Sequence, residues 1–566
     1  FRRAAGRTEL AWRGSIASDT HVYKWLEGAS LALAAAPDAA LEGLVDRVIA
    51  DVAAAQSPDG YLDTYFTFER RAERYADLTT RHELYCAGHL IQAAVAHHRA
   101  TGKRALLDVA VRAAEHLCRT FGPGARGGTD GHPEVEMALV ELYRELARPT
   151  YLRQAGLFLD RRGQRPPVLD GAEGRQDHLP VREQREIVGH AVRAAYLACG
   201  MTDVWAETGE PPLGEAVEHL WRSAFTRKAY VTGGLGARWA GEAFGADYEL
   251  PAERAYAETC AAIGGVMWNW RRLLLSGESR FADWMETALY NGVLAGVALS
   301  GTEFFYQNPL ADRGGHRRRP WFRTPCCPTN VPRALLALPG QLYATSEDGL
   351  WVHLYAAGGV RAAVGAGALA LRVETRYPWD GTVRLEVREA PPGPCSLHLR
   401  IPPWAEGARL VAPGAARASD PAPGSYAEVR HRWGPGDAVE LTLPLRIRRV
   451  ASHPRVLANA GRVALARGPL VYCIEAVDHP GVDVWDLGLP AGARLEAAER
   501  PELLGGVVAL TGEAVEAPST DWGDGLYAPA ERAPVPARRP VPLRAIPYFA
   551  WANRAAGPMQ VWLPRL

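Results

Sequence analysis

The sequence predicts a multidomain α + β protein: a closed toroid of helical hairpins followed by two β-sandwich, jelly-roll-like domains. Three observations carry that reading. Apolar residues recur at three- and four-residue spacing up to about residue 345. After Gly349 the period changes to two, with turn signals between short runs. A chain of 566 residues also holds three or four domains at roughly 150 residues each. The expected division is 1–345 helical, 346–450 the first sandwich and 451–566 the second, with the last strand free to return to the first.

The helical segments run in order Tyr23 to Ala35, Leu41 to Ala55, His82 to Arg99, Ala105 to Arg119, Pro133 to Leu146 and Ile187 to Glu207. Leu213 to Arg227, Ala255 to Ser276, Phe281 to Val297 and Pro332 to Tyr343 follow. Gly-, Pro- and Asp-rich connections such as Gly122 to Gly131 separate them. A superhelical stack of hairpins fits this pattern nearly as well as a toroid, although no fixed-length repeat is visible. Beyond Gly349, the runs Trp351 to Tyr355, Leu369 to Glu374, Val383 to Val387 and Ser396 to Ile401 alternate as strands. Arg462 to Ala466 and Leu470 to Ile474 begin a second set. From about Ala491 long irregular connections are expected, and strand character returns at Val541 to Phe549 and Met559 to Leu563.

Composition narrows the function classes. Lys+Arg and Asp+Glu both number 64, so a polyanionic nucleic acid or an anionic membrane is not the expected partner. Lys24, Lys103 and Lys228 are the only lysines, and the Arg-rich basic side reads as composition bias. No apolar stretch reaches the length of about 18 residues that a membrane helix needs. Eight cysteines are too few for a disulfide scaffold. Five of them lie singly and read as small buried hydrophobes. Cys260, Cys326 and Cys327 stand apart, the last two inside Pro325-Cys326-Cys327-Pro328.

Glu258 and Cys260 flank one residue at an expected helix start, and Cys326 and Cys327 are adjacent on an expected loop. One carboxylate and three thiolates can form a four-coordinate zinc site; a group of buried thiols with a helix-capping carboxylate is the alternative. A metal-held thiolate is also a competent nucleophile. Glu242, in the Gly-rich stretch Gly241 to Gly245, is the candidate acid, with a pKa expected to be raised by an apolar setting. The glycines of Thr232 to Gly236 lack the Lys-Ser/Thr of a phosphate loop. His82 and His89 are spaced for one helical face, and His132 and His190 precede further helices. With Tyr306-Gln307-Asn308, Tyr61, Tyr65, Trp25 and Trp321, they suit a polar pocket for a sugar.

These residues lie in longer stretches that resemble a known family. They are DTHVYKWLE at Asp19, DGYLDTYF at Asp59, HELYCAGHL at His82, His132 to Arg144, Gly189-His190, and Gly241 to Gly264. Glu286 to Gln307, CCPTNVPR at Cys326, Tyr377 to Gly381, Leu399 to Ala405 and Arg467 to Glu475 complete the set. Together they resemble the β-L-arabinofuranosidases of glycoside hydrolase family 127 and the related family 146, over nearly the whole chain. The resemblance implies an (α/α)6 barrel followed by β-sandwich domains, a retaining mechanism, and a homodimer through the β domains. It implies Glu258, Cys260, Cys326 and Cys327 as zinc ligands, Cys326 as nucleophile and Glu242 as general acid/base. It implies His82, His132, His190 and Tyr306 as sugar contacts. The chain departs from the family pattern before Asp19, where an Arg-rich segment stands.

The expected activity is therefore a zinc-dependent retaining exo-glycosidase that releases terminal L-arabinofuranose from β-L-arabinofuranosides of plant glycans. A retaining glycosidase for another plant-wall sugar, a non-hydrolytic sugar epimerase and a carbohydrate-binding protein with structural zinc are the alternatives. Three functional thiols point to a reducing, cytoplasmic setting.

Overall fold

The computed structural model of the chain describes residues 1–518, 525–533 and 537–566. The helices are α1 (Asp19–Ala35), α2 (Ala39–Ala55), α3 (Glu83–Thr101), α4 (Ala105–Phe121), α5 (Val135–Leu146) and α6 (Pro149–Arg161). They continue with α7 (Ala191–Thr208), α8 (Pro211–Ser223), α9 (Thr259–Ser276), α10 (Ser279–Thr287) and α11 (Cys326–Ala337). Each odd-numbered helix packs on the next, and α11 returns against α1, so six helices close a ring. The even-numbered helices pack on them, α4 on α3, α6 on α5, α8 on α7 and α10 on α9. Eleven α-helices among the described residues leave the ring one helix short of six full hairpins.

The sequence explains which helices form the ring. In α3, fourteen of nineteen residues are buried, as expected of a helix surrounded by neighbours. By contrast α4 buries one stripe, Leu106, Leu107, Ala110, Ala113, Ala114, Leu117 and Phe121. Small residues let ring helices approach: a Cβ at Gly88 would stand 2.6 Å from Glu134 Cγ at the head of α5.

Three helical expectations need correction. α6 was not expected, yet Pro149 starts it in the first turn and Tyr151, Ala155, Phe158 and Leu159 form its buried stripe. The Phe281 to Val297 helix ends as α10 at Thr287 and continues as a π-helical turn, Ala288–Val293. α11 begins at Cys326 rather than Pro332, because Pro328 falls in the first turn, where no backbone donor is needed.

The middle unit holds two sheets. One is five-stranded, built from Gly358–Val364, Gly367–Thr375, Thr382–Glu389, Ala438–Thr442 and Arg409–Val411. The other has four strands, with Gly349–Val352 parallel to Cys395–Ile401. Leu369, Leu371, Val373, Leu385, Leu397, Leu399 and Leu441 fill the space between them. Arg400 bolts this unit to the ring: it is fully buried and reaches Asp283 at 2.7 Å and Glu286. Tyr377 adds a 2.5 Å hydrogen bond to Glu286.

The C-terminal strands differ from the expected second sandwich. They join one branched ten-stranded network that also takes in Ala311–Asp312 from the helical region. Ile447–Val450, expected to end the middle unit, pairs with Arg462–Arg467 of this network. Leu495–Arg500 and Val507–Glu516, expected as irregular chain, are antiparallel strands carrying Val507, Val508 and Leu510 into the core. The last strand, Trp562–Pro564, pairs with Arg462–Arg467 rather than with the middle unit. Asn291, in the π-helical turn, docks the network by bonding Val471 N and Pro469 O at 2.8 and 3.0 Å.

Candidate active site

The ring helices run parallel, and their N-terminal ends converge. His82 caps α3, His190 caps α7, Glu258 caps α9, and Cys326 opens α11, while His132 precedes α5 by three residues. Local backbone supports this placement. His82, Glu242 and Ala257 adopt left-handed φ values of 57°, 52° and 36°, the kind of strain that collects at functional sites. Gly189, before His190, has φ 72°, and a Cβ there would stand 1.9 Å from the Glu173 carbonyl oxygen.

The four expected metal ligands come together. Cys260 and Cys327 sulfurs are 3.4 Å apart, and Cys326 and Cys327 sulfurs 3.9 Å. Glu258 Oε1 lies 3.7 Å from Cys326 Sγ and 3.8 Å from Cys327 Sγ. A tetrahedral zinc ion bound by thiolates and a carboxylate has S···S edges of about 3.8 Å and S···O edges of about 3.6 Å. The donor chemistry and the edge lengths both fit such an ion. Burial pushes the Glu258 carboxyl and the Cys260 and Cys327 thiols well above their usual ranges. Cys326 moves the other way, held low by hydrogen bonds from Cys260 and Cys327 against the effect of burial, with Lys24 and Tyr306 assisting. The Cys pair sits at the head of a helix rather than on the expected loop, where the dipole favours an anion.

The other expected residues complete a rim. The rings of His82 and His132 are 5.7 Å apart, and those of His132 and His190 are 5.8 Å apart. His190 Nε2 is 2.8 Å from Glu242 Oε2. Tyr256 bonds Glu242 from the other side, and the Tyr306 hydroxyl is 3.1 Å from Cys326 Sγ. Burial holds His82 down to about 3 and His132 well below its usual range, so both imidazoles are neutral. The expected rise for Glu242 is overturned. Burial does push its carboxyl up, but the bonds to His190 and Tyr256 outweigh burial and hold it below the usual range.

His89 does not join His82 at the rim. It lies in the ring interior, where His89 Nδ1 meets Glu134 Oε1 at 3.1 Å with both side chains fully buried. Three residues without an expected role do belong to the site. His21 and Lys24 come from the first turns of α1, and burial lowers both. Lys24 Nζ bonds the Tyr85 hydroxyl at 2.9 Å. Tyr256 is the third. The DTHVYKWLE stretch signals the first two, but only ring closure brings α1 against α11.

At the opposite end, the C-terminal halves of the ring helices surround a separate cavity of about 670 Å³ lined by Glu27, Gln92, Glu141, Asp203, Arg271 and Arg333.

Comparison with known proteins agrees with this arrangement. Residues 1–340 match the catalytic-domain model of the glycoside hydrolase family 127 β-L-arabinofuranosidases. Residues 349–445 match the middle domain of the same family and 447–564 its C-terminal domain. The chain belongs to glycoside hydrolase family 127. This family 127 member is thus a glycoside hydrolase. It is 35% identical, over 609 aligned positions, to the non-reducing end β-L-arabinofuranosidase of Bifidobacterium longum subsp. longum. That alignment covers 99% of this chain and 91% of the relative. A crystal structure of a family 127 β-L-arabinofuranosidase from Geobacillus stearothermophilus T6 superposes with a TM-score of 0.95 at 41% identity. It covers 100% of this chain and 93% of that one. Another family 127 β-arabinofuranosidase structure gives 0.91 at 38% identity, covering 100% of this chain and 91% of that one. Among the described residues no helix is long and apolar enough to cross a membrane.

Proposed function

We propose that this family 127 hydrolase is a zinc-dependent, retaining exo-glycosidase that releases terminal L-arabinofuranose from β-L-arabinofuranosides of plant glycans. The observation that carries the reading is the placement of Cys326. Its sulfur belongs to a four-donor metal group, is held low as a thiol, and lies 3.1 Å from the Tyr306 hydroxyl on the pocket side. The relatives above, named as β-L-arabinofuranosidases, support the choice of sugar.

Glu258, Cys260, Cys326 and Cys327 would hold the ion, inside what we take to be an (α/α)6-type ring. When bound, zinc keeps the Cys326 sulfur ionised at neutral pH and limits its motion. His82, His132, His190 and Tyr306 bind and orient the arabinose ring. In the first step the Cys326 thiolate attacks the anomeric carbon, the bond to the leaving oxygen breaks, and Glu242 gives that oxygen a proton. In the second, Glu242 takes a proton from water, whose oxygen attacks the anomeric carbon and releases the thiolate. Two inversions give retention. Glu242 must be protonated first. A sugar hydroxyl that draws His190 or Tyr256 away removes the bonds that hold the carboxyl low, so substrate binding loads the acid. The three clustered thiols fit a reducing compartment such as the cytoplasm.

The test is p-nitrophenol release from its β-L-arabinofuranoside by wild type and Cys326→Ser, with metal content read by mass spectrometry. Wild type should turn over with one zinc per chain, and Cys326→Ser should lose about 10³-fold or more in kcat. A folded Cys326→Ser enzyme that keeps a tenth of the activity would sink the mechanism.

A further inference from the structure

Glu242 sits on a tight turn. Arg238 and Ala243 bond each other across it, and Glu242 N donates to the Trp239 carbonyl at 3.2 Å. The same turn that presents the acid therefore presents an indole three residues earlier. Half of the Trp239 surface remains open to solvent (50%), unusual for the largest apolar residue on a short turn. Its ring meets Tyr256 edge-to-face at 5.3 Å and 87°, which leaves at least one indole face free of that contact.

The indole is the end of a continuous aromatic wall. Tyr256 meets Tyr306 at 6.2 Å, and Tyr306 meets Phe322 at 5.6 Å, both edge-to-face. The wall thus spans the site from Glu242, which Tyr256 bonds, to Cys326, which Tyr306 bonds. His190 meets Glu242 at 2.8 Å, and Tyr306, the one wall residue assigned above to the sugar, stands two ring contacts away from Trp239. In a retaining hydrolysis the acid protonates the oxygen of the leaving group. The surface beside the acid, away from the residues that hold the retained sugar, is therefore where the leaving group rests. Arg238, the nearest cation on the turn, is already paired bidentately with Glu249 at 2.8 and 2.5 Å, so nothing there selects an anionic leaving group.

We propose that the free face of Trp239 is the leaving-group platform, stacking the C–H face of a carbohydrate ring linked to the arabinofuranose. The assignment rests on the β-L-arabinofuranosidase reading above. A neutral sugar ring has a polar edge and an apolar face, and an exposed indole next to a proton donor offers the complementary pair.

The test compares methyl β-L-arabinofuranoside, whose leaving group is too small to reach the indole, with a β-L-arabinofuranosyl disaccharide. Trp239→Ala should lower kcat/KM for the disaccharide about five- to tenfold, mainly through KM, the range expected of one aromatic stacking contact. The methyl glycoside should change less than about twofold, and Trp239→Phe should recover most of the disaccharide loss. Equal losses on both substrates would mean that the indole only supports the Glu242 turn, and would overturn this assignment alone. Wild-type enzyme that releases arabinose from neither substrate would overturn the arabinofuranosidase reading and this assignment with it.

Discussion

The two mouths of the helical ring are built from the same six helices and finished in opposite ways. At the end where the helices begin, buried polar atoms lack partners: both His21 nitrogens, His82 Nδ1, His190 Nδ1 and Glu258 Oε2. At the end where they finish, the charges are matched. Arg271 reaches Asp203 at 2.6 Å and Glu141 at 2.9 Å, Arg144 reaches Asp203 at 2.8 Å, and Arg333 reaches Glu27 at 2.8 Å. An unpartnered buried polar atom costs about 1–3 kcal/mol. A fold tolerates several in one place where a ligand completes them. The matched mouth braces the ring; the unmatched mouth is where the proposed substrate and metal would complete the polar contacts.

That contrast can be broken from either side. The largest effect is expected at the unmatched mouth. Glu242→Gln should lower kcat by about 10²–10⁴-fold, more for a methyl than for a p-nitrophenyl leaving group, with an unchanged Tm. A Tm drop of many degrees would instead make Glu242 structural. At the matched mouth, Arg271→Met should cost about 3 kcal/mol in denaturant unfolding while leaving kcat/KM within about twofold. The low end of the range for a broken buried pair is expected because Arg144 still reaches Asp203. Strong loss of activity without loss of stability would show that this end takes part in catalysis.

The smallest effect is in pH. His82 is held down to about 3 when folded and titrates near 6.5 when unfolded. Protons therefore bind the unfolded chain first as pH falls. The contribution of neutral His82 is complete above about 6.5 and is lost progressively from there toward pH 3. Unfolding at pH 7 and pH 5 should show His82→Gln about 2 kcal/mol less acid-sensitive than wild type. An identical pH slope in the two proteins would count against a buried neutral imidazole.

The helical period, the switch to alternation after Gly349 and the pairing of Glu-x-Cys with Cys-Cys-Pro were legible in the sequence. They are local patterns, and the candidate ligand set follows from the family resemblance those motifs carry. The start of α11 was not legible, because Pro325 and Pro328 read as loop signals while the first helical turn accepts proline. The Val507–Glu516 strand was hidden by its Ala- and Glu-rich flanks. The low carboxyl of Glu242 was out of reach because its cause, the 2.8 Å contact with His190, joins residues 52 positions apart on a turn and a helix cap. His21 and Lys24 carry no sign of a role within their motif, since their place beside Cys326 depends on α11 closing onto α1.

That closure also orders the life of the chain. Glu258 and Cys260 are in place at the head of α9, yet Cys326, the proposed nucleophile, arrives with the last ring helix, which must find the first across some three hundred residues of intervening sequence. Such distant contacts form late. A ribosome that has released everything up to residue 325 has produced the rim histidines and half of the candidate metal donors but not Cys326. The Cys326 sulfur is joined to its partners only as the ring shuts, so on the proposed mechanism the molecule acquires its reactive group and its finished architecture in the same event.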